Sequence, residues 1–206
     1  MRRLVHVLDR ASGDYRQIGT QEPGRLTKPL GLAVDASGRV YVCDATSRRV
    51  LIYSSGGDFV AAVGGADHLK RPSSVAVSPD GSRIYVLDTG GVDSEQHRIV
   101  VFGADGHVSK VIGRRGAGAG QFNLPLSVKR AADGGLHVVD AGNFRVQQLN
   151  ADGAPLSRFG KPGRYPGQFG HPKDLALDAS GNVYVTDSHF GVFQIFSPSG
   201  RILLSI

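Results

Sequence analysis

Four segments of the chain, each opened by a proline ahead of an apolar run, repeat one pattern of short strands and turns. The prolines are Pro29, Pro72, Pro125 and Pro172, spaced by 43, 53 and 47 residues. Each segment holds four short runs rich in β-branched and aromatic residues. The second run is the most regular: Val40–Val42, Ile84–Val86, Leu136–Val138 and Val183–Val185 each end one residue short of an aspartate, namely Asp44, Asp88, Asp140 and Asp187. The third runs are Val50–Tyr53, Ile99–Phe102, Val146–Leu149 and Phe193–Phe196, followed by turn glycines Gly57, Gly106, Gly153 and Gly200. The fourth runs close on Gly64, Gly113 and Gly160. Asp-Gly, Ser-Gly and Gly-Gly turns between β-branched runs predict hairpins rather than helices. No segment carries a 3.6-residue period of useful length.

Four strands, A to D, in up-and-down order and recurring at this period are the signature of propeller blades. The expected fold is all-β: four-stranded antiparallel blades that bury their faces against their neighbours. Ala33, Ala76 and Ala176 at one strand A position suit close packing between blades. Residues 4–19 read as strands C and D of an earlier blade. The expected organisation is therefore a half blade at 1–19 and whole blades at 20–64, 65–113, 114–160 and 161–206, about four and a half in all. Four arrangements fit such an array: part of a larger propeller, which is preferred; an open array; closure by pairing with another chain; or an irregular small ring. Any open form leaves strand edges and a blade face available for association.

Composition narrows the function classes. At 40% hydrophobic residues the 206-residue chain can bury a core, and one cysteine, Cys43, excludes a disulfide framework and a cysteine-based zinc site. Cys43 lies on a strand B and reads as a small buried hydrophobe. No run is long and apolar enough to predict a membrane span, and the start Met1-Arg2-Arg3-Leu4 is not followed by the apolar stretch of a signal peptide. A formal charge of +6 leaves an acidic partner open.

The segments GQFNLP (Gly120–Pro125), GQFGHP (Gly167–Pro172), LAVDASGRVYVCD and DAGNFRVQQL resemble NHL repeats, whose pattern runs G-x-F-x-x-P-x-G-I-A-V-D-x-x-G-x-I-Y-V-A-D-x-x-N-x-R-I-x-V-F. The resemblance implies a six-bladed propeller of the TolB-like superfamily and is closest to bacterial NHL-type proteins. Six blades of about 45 residues need about 270, so this chain is about one and a half blades short. The second whole repeat has extra residues between Asp88 and Arg98. Strand A of the third carries Lys129 and Arg130, a frayed strand or a partner site. His137 replaces a strand B tyrosine, and Val192 replaces the strand C arginine seen as Arg49, Arg98 and Arg145.

In this topology the D-to-A and B-to-C loops share one face, where basic residues outnumber acidic ones. The opposite face carries Asp35, Asp58, Asp80, Asp105, Asp133, Asp152 and Asp178. The recurring aspartates and the recurring Arg49, Arg98 and Arg145 are expected to fix turns. The non-repeated Arg48, Lys70, Arg71, His171, Lys173 and His189 are the binding candidates. His97, His171 and His189 share the face but do not all lie in one repeat, and they are expected to be solvated. One carboxylate among the strand A entrances is too few for calcium, so no metal or cofactor is expected. No G-x-S-x-G elbow is present, and the glycine-rich Gly116–Gly120, with no helix after it, reads as a flexible connection. The leading expectation is a non-enzymatic scaffold binding a protein or small ligand through the D-A and B-C loop face. A lyase or lactonase, implied by NHL-related propellers, and nucleic-acid binding by the basic face are the alternatives. Phe144 and Phe190 lie in B-to-C loops as stacking candidates for the latter.

Overall fold

The structure, a computed structural model, describes residues 3–206. Met1 and Arg2, part of the start read above as lacking a signal peptide, lie outside the described residues. Strands β1 (Val5–Leu8) and β2 (Tyr15–Ile18) form a two-stranded half blade. The first blade is β3 (Pro29–Val34), β4 (Val40–Asp44), β5 (Arg49–Tyr53) and β6 (Phe59–Gly64). The second is β7 (Pro72–Val77), β8 (Arg83–Asp88), β9 (Arg98–Gly103) and β10 (Val108–Ile112). The third is β11 (Pro125–Arg130), β12 (Leu136–Asp140), β13 (Arg145–Leu149) and β14 (Pro155–Phe159). The fourth is β15 (Pro172–Leu177), β16 (Val183–Asp187), β17 (Val192–Phe196) and β18 (Ile202–Ser205). Each blade is an antiparallel meander in chain order. The described helical structure is a single 3₁₀ turn at Ala141–Asn143, and among the described residues no helix is long and apolar enough to cross a membrane.

Register repeats from blade to blade. Ala33 faces Tyr41, Ala76 faces Tyr85 and Ala176 faces Tyr184 across the A–B pair. Lys129 faces His137 and Arg130 faces Leu136, so this end of β11 is paired and not frayed. Because side chains alternate between the two faces of a strand, each blade sends one apolar set to either side. The core is accordingly divided among the blade interfaces. Ile18, Leu26, Val42, Leu51 and Tyr53 join the half blade to the first blade. Tyr41, Cys43, Val50, Val75, Val86 and Phe102 join the first to the second. Tyr85, Leu87, Ile99, Val128 and Val138 join the second to the third. Val139, Val146, Phe169, Leu175, Val185 and Phe196 join the third to the fourth. On the far face of the fourth blade Phe193 is exposed, as are Leu30, Leu32 and Val34 of β3 and Leu204 of β18.

The turn glycine between strands C and D meets the preceding blade. A Cβ on Gly153 would fall 2.6 Å from Ile112, and one on Gly200 would fall 2.7 Å from Phe159. Both residues also hold φ above +80°, a backbone that disfavours any other residue. The aspartates of the opposite loop face serve turns. Asp35 accepts from the Ser37 and Arg39 N–H groups, from Arg39 Nε at 2.7 Å and from Tyr41 Oη at 3.0 Å. Burial works against its charge, but these donors hold the Asp35 carboxyl at about 2.

Cys43 is completely buried between the first and second blades, and that burial pushes its thiol well above the ordinary value. A thiol reagent such as DTNB is expected to leave it unmodified in native buffer and to react stoichiometrically only across the unfolding transition. Rapid modification of the folded protein would place the first interface wrongly.

Candidate functional site

One carboxylate per blade ties down the loop that enters that blade. Asp44, at the end of β4, accepts the N–H groups of Thr27 and Lys28, the latter at 2.8 Å. Asp88 accepts Lys70 and Arg71, the latter at 2.8 Å. Asp140 accepts Asn123 at 2.6 Å. Asp187 accepts Gly170 at 2.7 Å and His171 at 2.9 Å. The same carboxylates reach the B-to-C loop: Asp44 takes Thr46 and Ser47 N–H, and Asp187 takes His189 N–H. In the first and fourth blades two loops of one face are thus fastened to one buried anion by charge-assisted bonds. All four aspartates are buried. Burial opposes the charge of Asp44, yet the N–H groups of Ser47, Thr27, Lys28 and Thr46 hold its carboxyl below the usual range. At Asp140 burial prevails and pushes the carboxyl up, against Asn123, Asn143 and Arg145.

Beneath each latch sits a buried plug three residues before the proline: Leu26, Leu69, Phe122 and Phe169. It lies under the glycine that closes the preceding strand D. A Cβ on Gly113 would meet Phe122 at 2.3 Å, and one on Gly160 would meet Phe169 at 2.4 Å. Sequence reading noticed the phenylalanines but not Leu26 and Leu69; their fixed distance from the proline is the signal that finds them.

The recurring arginines do not act alike. Arg145 is buried and pairs with Asp140 through Nε at 2.7 Å. Its other nitrogens donate to the carbonyl oxygens of Ala117 and Gly118, each at 2.8 Å, and of Gln121 at 3.0 Å. The glycine-rich Gly116–Gly120 segment, expected to be a flexible connection, is therefore gripped by a guanidinium. Gln147 adds a bond from Nε2 to the Gln121 carbonyl and accepts Gly120 N–H. Arg98 lies 3.5 Å from Asp88 and donates to the His68 carbonyl at 2.9 Å. Arg49 is exposed and makes no ion pair within 4 Å among the described residues. The first blade therefore lacks the Asp–Arg pair of the second and third.

The binding candidates Arg48, Lys70, Arg71, His171, Lys173 and His189 are all exposed. They fall in two groups. Gly65 N–H donates to the Arg48 carbonyl at 2.8 Å, tying the Arg48 loop to the one that carries Lys70 and Arg71. Ser188 N–H donates to the His171 carbonyl at 3.1 Å, which joins the His171 and His189 loops beside Lys173. His97 departs from expectation. It is fully buried, accepts Leu124 N–H on Nδ1 at 3.1 Å and bonds the Gly91 carbonyl through Nε2 at 2.9 Å. The extra residues after Asp88 supply the loop that covers it. Lys129 and Arg130 are half-buried and, with Leu32, Val34, Val77 and Leu177, line a groove at the innermost strands.

Two larger clefts open on the described surface. One of about 790 Å³ lies beside the half blade, lined by residues including Arg3, Glu22, Arg25 and Thr27. One of about 630 Å³ lies in the loops of the fourth blade, lined by Phe144, Arg164, Tyr165, Gln168, His189, Phe190 and Val192, among others. Among the described residues no three His, Cys, Asp or Glu side chains group to hold a metal ion.

Removing a buried partner from a buried pair costs about 3–5 kcal/mol, whereas an exposed side chain away from such features costs about 0.5 kcal/mol or less. Arg145→Ala is therefore expected to lower stability by about 3–5 kcal/mol in urea titration and Arg49→Ala to leave it nearly unchanged. Equal effects would refute the distinction between them. His97→Leu leaves a backbone N–H and a carbonyl without partners and is expected to cost about 1–3 kcal/mol. A variant as stable as the parent would show that neither bond contributes.

The NHL repeat family matches residues 26–53, which run from the Leu26 plug to the end of β5. No curated protein matches the chain in sequence. A streptogramin B lyase structure superposes with TM-score 0.74 at 15% identity, covering 100% of this chain and 62% of that one. A virginiamycin B lyase from Staphylococcus aureus gives TM-score 0.71 at 13% identity, covering 98% of this chain and 62% of that one. XC5397 from Xanthomonas campestris, described as a gluconolactonase, gives TM-score 0.66 at 20% identity, covering 90% and 63%. The chain thus spans under two thirds of the length of these structures, and at such identities the likeness is one of fold. The chain carries an NHL repeat within a β-propeller architecture of four complete blades and a two-stranded half blade.

Proposed function

We propose that the chain is a non-enzymatic NHL-repeat scaffold that binds a protein or small ligand, of acidic character, through the face made by its D-to-A and B-to-C loops. The observation that carries this reading is the combination of pinned backbone and exposed side chain. Lys70 and Arg71 give their N–H groups to Asp88, and His171 and His189 give theirs to Asp187, while all four side chains stay exposed. A backbone already ordered adds little further cost at the moment of binding, which is how preorganisation raises affinity. Arg48 adds support. It holds φ +55°, where the matching loop position of the fourth blade has Gly191 at +67°. A left-handed conformation costs a non-glycine residue about 1–2 kcal/mol, so the side chain is retained there against backbone preference. The lyase and lactonase neighbours support the fold and leave activity open, since one fold hosts many chemistries.

The test uses fluorescein-labelled polyglutamate and fluorescence anisotropy. Reversing both charges in Lys70→Glu/Arg71→Glu is expected to weaken binding about tenfold or more, as charge complementarity requires, with the circular dichroism melt unchanged. Arg201→Glu, beside the turn of the opposite face, should leave affinity within about twofold. Equal losses from both faces would defeat the proposal. Tighter binding of a single-stranded RNA 20-mer than of polyglutamate would shift the reading to nucleic acid, with a steep salt dependence as its mark.

A further inference from the structure

The entry loops of the third and fourth blades align without gaps 47 positions apart, sharing Gly116/Gly163, Gly120/Gly167, Gln121/Gln168, Phe122/Phe169 and Pro125/Pro172, and the fourth lacks one side chain that fills the third. The two loops share a set of hydrogen bonds. Gly120 N–H donates to Gln147 Oε1 at 3.0 Å, and Gly167 N–H donates to Gln194 Oε1 at 2.7 Å. Gln147 Nε2 donates to the Gln121 carbonyl at 2.7 Å, and Gln194 Nε2 to the Gln168 carbonyl at 2.8 Å. Gly118 N–H and Tyr165 N–H each bond the glutamine three residues on. The bridges Arg115–Phe122 and Pro162–Phe169 also correspond. In the third blade Arg145 occupies the centre of this frame. In the fourth its place is taken by Val192, the register partner of Asp187.

The consequences are visible in three places. The carbonyls of Arg164, Tyr165 and Gln168 stand where those of Ala117, Gly118 and Gln121 receive the Arg145 guanidinium. Among the described residues the Arg164 carbonyl accepts no hydrogen bond. Asp187, buried, accepts three backbone N–H groups and has no ion-pair partner within 4 Å among the described residues. Finally, the cleft of about 630 Å³ opens against Val192, Gln168, Gln194, Arg164 and Tyr165, with Phe144, His189 and Phe190 at its sides. Tyr165 and Phe190 are exposed. A guanidinium entering here would find the oxygen acceptors that Arg145 uses one blade earlier and aromatic faces that favour a planar cation. The lining's own cation, Arg164, is exposed, so it can remain in water at the rim.

We propose that this cleft is a vacated arginine socket, which takes an arginine side chain from a protein partner in place of the missing intrachain one. It rests on acceptor oxygens rather than on the exposed basic residues of the acidic-ligand reading above, His189 being the one side chain common to both.

The experiment titrates the chain with the capped tripeptide acetyl-Gly-Arg-Gly-amide, its lysine and citrulline counterparts, and methylguanidinium, followed by calorimetry and two-dimensional NMR. The arginine peptide is expected to bind and to shift the Tyr165, Gln168 and Phe190 resonances. The lysine peptide, without the planar fork, and the citrulline peptide, without the charge, should bind at least about tenfold more weakly. Val192→Arg should fill the socket from within, raise the melting temperature and abolish arginine-peptide binding. Val192→Leu, which fills apolar room without a cation, should not raise the melting temperature as much. Equal affinity for the arginine and lysine peptides overturns the proposal, as does retained binding by a folded Val192→Arg protein. Binding of methylguanidinium without the peptide would overturn the protein-partner source. Polyglutamate binding that survives Val192→Arg separates the two readings.

Discussion

A blade of four strands has two apolar faces and no means of hiding either by itself, and the rest of the structure follows from that constraint. Tyr41, Cys43, Val86 and Phe102 are buried only because two blades meet there, and the same holds at each later interface. Stability in such an array is shared out between neighbours. This is why small residues recur on strand A and why the C-to-D turn must be glycine where it presses on the preceding blade at Ile112 or Phe159. It is also why Phe193 is exposed on the far face of the fourth blade.

Stacking alone would not make a face suitable for binding, because loops between blades carry few packed contacts. The second constraint is electrostatic. A carboxylate buried at the end of strand B must be satisfied, and the donors within reach are the N–H groups just before each proline. Satisfying the anion therefore fastens the loops. The hydrophobic plug three residues before the proline works from the other side, inserting under a glycine that could not carry a Cβ. The loop face is thus held by an anion and a plug in each blade, and side chains on it can vary without loosening the frame.

That division explains what could be read from the chain. Elements set by alternation and turn glycines, such as the β4, β8, β12 and β16 series with their aspartates, were legible because every repeat carries the same residues at the same offset. The half blade was legible for the same reason. What escaped was decided by tertiary reach. Leu26 and Leu69 do the work of Phe122 and Phe169, but their chemistry differs from the family pattern. His97 looks like any loop histidine until the residues after Asp88 fold over it. Gly116–Gly120 looks slack in sequence because the guanidinium that holds it comes from residue 145. Arg49, Arg98 and Arg145 share a position, yet the first is exposed, the second reaches one carbonyl and the third reaches three.

Repetition makes such differences interpretable. In a single-copy fold a valine beside a cleft is unremarkable, since nothing indicates what else the position could hold. Here the third blade is an internal reference for the fourth. The frame of Gln194, Gly167 and Gln168 is retained in bond-for-bond form, although the frame in the third blade exists around an arginine. Gln194, the Asp187 latch and the Phe169 plug hold these acceptors aligned with no intrachain guanidinium among the described residues to use them, and Tyr165 and Phe190 stand exposed beside them rather than packed. An acceptor set kept open beside an aromatic wall is what a planar cation requires. Val192, one of the positions where the repeat departs from itself, is therefore where the proposed arginine socket is placed.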